Sequence, residues 1–490
     1  MCGGLNCFDS HRCTPLPVAD NGLSPLAVGG LFRWADVPVM RQRRWMATFL
    51  PLVQVVTYSV AIRLLEDEIG YTGLKWALET PLVLAACTVI CLGVGLSLPV
   101  VLRRPSDAAL WIFASFLVTP QIALLACNAN YRIETGWPGL IVALTGFLGV
   151  RTVIAWANTP PAIRDLPEAS RRAQNVALAL ALLAIVLTLA TYGFRGLNLG
   201  LDDIYERRLA IRSVTSLLPG SDHVILWGLY LGVAGLLVGV IATRRWWLLA
   251  PALALPVLMF SVNGARSILF LPVLAAGIVV SVPKRRRPSV YPLFGLFLTA
   301  VLLLPVLLKL TWPESIWVQQ LTRRLGLVPA QVTQLYVEFA DSRGFVGYGH
   351  LLPQWLTGSA DRLNLPRALG EFIGAPENHV SANPWAEGYV AASWAGVFVA
   401  SLVIGLALSL ADRLGAAHDR SMAVTLVGIP SFSWVNASLV DGFVSYGVAL
   451  ALILLWVTGQ HHRAKAAVGS TVSSTPLTGG KRRSHGLSAL

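Results

Sequence analysis

Residues 377–396 read ENHVSANPWAEGYVAASWAG, and from Gly388 the chain stays almost wholly apolar as far as Leu410. A helix needs about 20 such residues to cross the hydrocarbon of a bilayer. The stretch opens on Asn383 and Pro384, a side-chain N-cap followed by proline at the first helical position. Reading it as a membrane helix settles the class of the whole chain, because the same criterion is met again and again. Spans are expected near 46–65, 78–102, 108–127, 139–157, 173–193, 223–242, 246–262, 267–283, 289–309, 388–411, 421–437 and 442–458. The expected fold is thus an all-α polytopic membrane protein with about twelve transmembrane helices.

Composition agrees. The chain is 55% hydrophobic and only 13% charged, where soluble domains carry about 25% charged residues. Mean hydropathy is +0.64, which excludes a string of water-soluble domains. The net charge of +13 points to nucleic acid only if the basic residues do not fit a membrane topology, and they fit one. With both termini inside, Arg41, Arg43, Arg44, Arg103, Arg104, Arg164, Arg171, Arg172, Arg244, Arg245, residues 284–287, Arg413, Arg420 and the basic residues from Arg463 onward all face the cytoplasm. Most of the charge is therefore a topology signal, and no nucleic-acid partner is expected.

Three divisions follow. Residues 1–45 are a cytoplasmic segment without the basic-then-apolar order of a cleavable signal peptide. Its Cys2, Cys7, Cys13 and His11 match no common zinc spacing. Residues 46–465 form the membrane domain, with outside loops at 194–222 and 310–387. Residues 466–490, rich in Ser, Thr, Gly, Lys and Arg, read as a disordered cytoplasmic tail. A connection as long as 310–387 is not needed to turn a chain, so it is expected to be folded and functional. Within it, 314–340 has helical spacing: Ile316, Leu321, Leu325 and Val328, then Val332, Leu335 and Phe339.

Candidate chemistry gathers on the outside face. In SVNGARSILF (261–270), Asn263 is placed to cap a helix with Arg266 in its first turn, an arrangement suited to a phosphate or diphosphate. The bland alternative is an arginine reaching to lipid headgroups. In DDIYERRLAIR (202–212), Arg208 and Arg212 lie one helical turn apart, and a self-neutralised surface helix explains the segment as well. Arg323 and Arg324 are adjacent, so on a helix only one faces a buried cleft.

In the opening stretch, capping accounts for Asn383 and Pro384, and the helix dipole favours Glu387. His379 has no such explanation. A neutral imidazole suits a general base toward a sugar hydroxyl. A hydrogen-bonded loop histidine is the plain alternative. Trp385, Tyr389 and Trp394 suit sugar stacking or an interfacial aromatic belt. Asp441 opens the last span at the same surface.

The combination of many spans, a long late outside loop, S-x-x-x-A-R-S at a helix start, and N-H followed by E-G-Y and W-A-G resembles the O-antigen polymerase and ligase superfamily over roughly residues 190–460. The order here is Asn378-His379, where ligases show a tighter H-N pair, and the downstream EGYVAASWAG is similar to the polymerase pattern. The resemblance implies a GT-C-like membrane glycosyltransferase of the bacterial inner membrane with a periplasmic site. It implies metal-independent, inverting transfer of a growing glycan from undecaprenyl diphosphate to the next lipid-linked repeat unit, with no cofactor. It casts Arg266 and Arg323 or Arg324 as diphosphate ligands; Arg208 and Arg212 are further candidates for that role from their own spacing. His379 or Glu387 is the base, Asp441 the acid near the last span, and Trp385 and Tyr389 sugar contacts. Membrane lipids and a chain-length regulator protein are the implied partners.

Two alternatives stand. An O-antigen ligase would use a lipid A core as acceptor. A transporter or flippase of polyisoprenoid-linked sugars belongs to a different class. Against it, LRRPSD (102–107) lacks the signature of major facilitator loops, and Arg151 is the main charge placed deep in the membrane, with Arg63 near an outer end.

Overall fold

The computed structural model describes residues 37–69, 76–127, 136–157, 167–193, 220–264, 267–283, 291–350, 363–376 and 379–472. Residues 1–41 form one unit and 42–490 a second, and the packing below belongs to the second.

Every regular element among the described residues is helical. In chain order these are α1 (Val37–Ile69), α2 (Pro81–Ser97), α3 (Pro105–Phe113), α4 (Thr119–Ala126), α5 (Trp137–Trp156), α6 (Pro167–Tyr192), α7 (Ser221–Trp227), α8 (Val233–Thr243), α9 (Leu249–Asn263) and α10 (Ser267–Ser281). Then follow α11 (Leu293–Thr311), α12 (Val328–Arg343), α13 (Leu365–Phe372), α14 (Pro384–Gly415), α15 (Arg420–Ser433), α16 (Leu439–Val444) and α17 (Val448–Val472). Three π-helical stretches join neighbouring helices: Ala114–Val118, Gly228–Gly232 and Val318–Leu327.

The stretches expected to span fall largely on helices, but 289–290 lie outside the described residues, 388–411 is broken at Ala392 and Ser393, and 442–458 crosses from α16 into α17. Among the described residues, eight helical stretches are long and apolar enough to cross a membrane: Arg43–Glu68, Pro105–Ala126, Trp137–Trp156, Ser170–Tyr192, Ser221–Thr243, Leu293–Thr311, Pro384–Gly415 and Leu439–Gln460. The other four stretches coincide with α2, α9, α10 and α15, which have 17, 15, 15 and 14 residues. The protein is a helical polytopic membrane protein.

Small residues bring its helices together, as expected where lipid supplies no hydrophobic drive between helices. α5 and α14 lie side by side, and a Cβ built on Gly146 would fall 2.2 Å from the Trp385 ring. Only glycine leaves room there for the indole.

Within the segment expected to be an outside loop, Val318–Arg343 packs into this bundle. The π-helical stretch and α12 run continuously from Val318 to Arg343, and Leu325, Val332, Leu335 and Phe339 are buried as their spacing required, whereas Ile316 is exposed. α12 carries polar groups into the interior, and three hydrogen bonds tie it to its neighbours. Gln121 Nε2 donates to the Ala330 carbonyl (2.6 Å), the Gly139 amide donates to Gln334 Oε1 (2.7 Å), and Asn383 Nδ2 donates to Thr333 Oγ1 (2.6 Å). A buried polar group without a partner is costly, so this network fixes where α12 sits.

At the far end of α14 the charges are structural. Asp412 accepts from the Ser106 amide (2.9 Å) and hydroxyl (2.6 Å), and Asp107 accepts from the Arg103 and Arg104 amides (2.7 and 2.9 Å). Two carboxylates thus satisfy the start of α3, where amide donors have no helical partner. Arg151, read as a deep charge, is held at a helix end. Its Nε donates to the Ser97 carbonyl (3.1 Å), beside Arg44 Nη1 on the Leu98 carbonyl (2.9 Å), so both guanidiniums close the C-terminus of α2.

Candidate functional site

The opening stretch makes a broken helix. Asn383 caps it as its residue type predicts, its Oδ1 accepting from the Trp385 and Ala386 amides at 3.1 Å each. Pro384 occupies the first turn. The helix does not run straight to Leu410, as the apolar pattern suggested. Ala392 (φ −153°, ψ 33°) and Ser393 (φ 55°, ψ −142°) leave helical geometry, and the chain doubles back. Gly388 and Gly396 then touch: a Cβ on Gly396 would lie 1.8 Å from the Gly388 carbonyl oxygen. The break frees carbonyls at the end of the short helix, and an extended segment claims them. The Val346 amide donates to Val390 (3.0 Å) and the Gly347 amide to Ala391 (2.9 Å).

This short helix buries Glu387, which is 7% exposed. Its Oε2 accepts the Leu439 amide at 3.1 Å, the first residue of α16. Ser438 caps α16 by accepting the Asp441 amide at 2.9 Å, so the S-x-x-D of NASLVD is a capping motif. Between these starts lies a cavity of about 420 Å³ whose lining includes Glu387, Asp441, Tyr336, Ser381, Asn364 and Ser438. Two carboxylates, an amide and three hydroxyls therefore face one space, a donor and acceptor set suited to a polyhydroxylated ligand.

Two tyrosines outside the spanning helices register the charge of Glu387. Burial first, and the Glu387 carboxylate second, push the Tyr336 phenol far above its ordinary range; its hydroxyl donates to the Val380 carbonyl at 2.8 Å. Tyr348 is raised by the same two causes in the same order. Each phenol stays protonated beside a carboxylate, as a hydrogen-bond donor.

The expected site residues separate. Glu387 and Asp441 come together in the cavity. His379 is exposed and is not part of its lining, although the segment that follows it is pinned by Tyr336 and by the Val380 amide on the Pro366 carbonyl (3.0 Å). Arg323 is 9% exposed and Arg324 half-buried, both on the π-helical stretch and outside the lining. Arg208, Arg212 and Arg266 lie outside the described residues. The expected cap at Asn263 is corrected: Asn263 ends α9, Gly264 turns the chain in the left-handed region (φ 64°), and α10 starts at Ser267. A glycine directly after an apolar run is the ordinary signal for a helix end.

Trp385 is 1% exposed, lodged against Gly146 and edge-on to Phe113 (centroids 5.5 Å), so it offers no face to a sugar. Tyr389 is 9% exposed, its hydroxyl donating to the exposed Asp341 Oδ1 (3.4 Å). Sequence reasoning missed Tyr336, Asn364, Ser381 and Ser438. Of these, Ser438 was readable from its capping motif, and Tyr336 as a polar-tipped aromatic within the helical stripe of Val332, Leu335 and Phe339. Among the described residues, no group of three or more His, Cys, Asp or Glu side chains is arranged to hold a metal ion.

Compared with known family models, curated proteins and solved structures, the chain matches none.

Proposed function

We propose that this protein is a membrane-embedded, GT-C-like glycosyltransferase that polymerises undecaprenyl-diphosphate-linked repeat units on the periplasmic face of the bacterial inner membrane. The observation that carries this reading is the polar cavity joining Glu387 and Asp441 at the starts of two helices of an apolar bundle. Glu387 takes the base role that the sequence divided between it and His379. The acceptor hydroxyl attacks the anomeric carbon of the donor, and its proton passes to the Glu387 carboxylate. The bond from anomeric carbon to diphosphate oxygen breaks with its electron pair, releasing undecaprenyl diphosphate. Asp441 orients hydroxyls at the cavity mouth. Arg323, Arg324 and Arg266 are the candidates to neutralise the departing diphosphate.

The test incubates the purified protein in nanodiscs with lipid-linked repeat units and resolves the products on a gel. A ladder of repeat lengths, formed without nucleotide sugar, is the expected result. Transfer of glycan only to an added lipid A core would make the protein a ligase. One observation favours transport instead: a broken helix beside a polar cavity is also how secondary transporters build midplane sites. Movement of lipid-linked sugar across vesicles holding the pure protein, with no elongation, would establish that reading.

A further inference from the structure

The short helix bearing Glu387 presents a second surface that the cavity does not use. Tyr389 lies two residues beyond Glu387, about 200° around the helix and so on its opposite side. There it meets Phe345 edge-on (centroids 5.9 Å, interplanar angle 80°) and Trp394 likewise (5.3 Å, 76°). Phe345 is 54% exposed and Trp394 46% exposed. The Asp341 carboxylate, itself exposed, receives the Tyr389 hydroxyl at the edge of the cluster.

We propose that Phe345, Tyr389 and Trp394, with the Asp341 carboxylate, form a binding platform for a pyranose ring of the glycan beyond the reacting sugar. The proposal rests on the glycosyltransferase reading and names a subsite for it. An aromatic face stacks on the apolar C–H face of a pyranose, and a carboxylate at the rim accepts hydrogen bonds from ring hydroxyls. Phe345 and Trp394 are half open while Tyr389, 9% exposed, backs them from beneath, which suits a sugar ring laid against the two open rings better than an ammonium group enclosed on several sides.

Placement argues for continuity with the cavity. Phe345 leads directly into Val346 and Gly347, whose amides hold the end of the short helix. Tyr348 follows, close enough to Glu387 to feel its charge. The Tyr348 hydroxyl oxygen is buried and makes no hydrogen bond among the described residues. The segment 345–348 thus runs from platform to carboxylate around a helix ~10–12 Å across, a distance that a few linked sugars cover.

The test uses the full chain in nanodiscs and the glycan released by mild acid from the producing cell's own lipid-linked pool. Ligand-observed saturation-transfer NMR reads its binding directly, without turnover. Trp394→Ala and Phe345→Ala should each weaken binding about tenfold, a change of roughly 1.4 kcal/mol, with Trp394→Phe restoring most of it. Asp341→Asn, an exposed change that tests the same surface if an aromatic variant fails to fold, should weaken binding several-fold. Unchanged binding in well-folded variants overturns the platform. So does saturation transfer to phosphocholine but not to the glycan, which would make the rings a headgroup contact. A repeat ladder with unaltered glycan binding in the variants would leave the proposed activity standing and remove only the platform. Glycan bound at the platform with no ladder would do the reverse.

Discussion

Glu387 holds two roles that a pair of substitutions separates. Its Oε2 accepts the Leu439 amide at 3.1 Å, and its carboxylate lines the cavity while 7% exposed. Glu387→Ala leaves that amide without its acceptor, at a cost of about 1–3 kcal/mol. Glu387→Gln keeps an oxygen on the amide. A hydrogen bond to a charged group contributes roughly 1.5–3 kcal/mol and a neutral one roughly 0.5–1.5, so the glutamine variant should lose about 1 kcal/mol. The proposed base role responds in the other proportion. A general base contributes typically 10²–10⁴-fold to rate, and glutamine cannot accept the proton. Both variants should therefore lose elongation by at least about a hundredfold, while only the alanine variant melts clearly lower. The assay pairs thermal unfolding, followed by tryptophan fluorescence in nanodiscs, with the initial rate of ladder formation. If the Glu387→Gln variant elongates within about threefold of the parent, Glu387 is a strut for α16, and the base assignment is refuted.

Other outcomes follow from the same geometry. His379→Ala should leave ladder formation near parental rate, because the imidazole is exposed and outside the cavity lining; a large rate loss in a folded variant would return the base role to His379. Ser393→Gly should stabilise the protein by about 1 kcal/mol, since Ser393 holds φ 55° with ψ −142°, a conformation glycine adopts without strain, and the melting temperature reads it. Gly396→Ala should cost about 3 kcal/mol or more, its Cβ falling 1.8 Å from the Gly388 carbonyl oxygen, whereas Gly93→Ala meets nothing within 4 Å and should be neutral; equal yields of folded protein would contradict the doubling back of α14. Trp385→Ala should lower stability by about 3–5 kcal/mol, with Trp385→Phe intermediate in the same melt, because the indole fills core space against Gly146.

The membrane fold was legible because apolar runs and helix ends are local signals. Pro384 after Asn383, and the stripe through Leu325, Val332 and Leu335, needed no tertiary information. The break at Ala392 and Ser393 was not legible, since VAASWAG carries no proline and its residues continue a helix as readily as they stop one. The distant Val346 and Gly347 amides take up carbonyls at the break, and no local pattern announces them. The same dependence hid the site. Glu387 looked like a dipole-complementing residue of a first turn, and its cavity exists because 438–441 and 363–366 fold onto it. His379 drew notice for lacking a local explanation, and an exposed loop position supplies one. Arg151 looked deep by counting along an apolar run, but the carbonyls it closes belong to another helix.

The carbonyls of Val390 and Ala391 also bear on how the chain assembles. A straight helix from Pro384 onward satisfies its own ladder, and inside a bilayer a broken one does not. The 345–348 segment therefore supplies two of the donors that the break in α14 calls for. In an unbroken helix Gly388 and Gly396 would stand more than two turns apart; here they touch. A stretch some forty residues upstream thus caps the short helix whose Glu387 carboxylate receives the Leu439 amide, and three distant parts of the chain meet at one helix end.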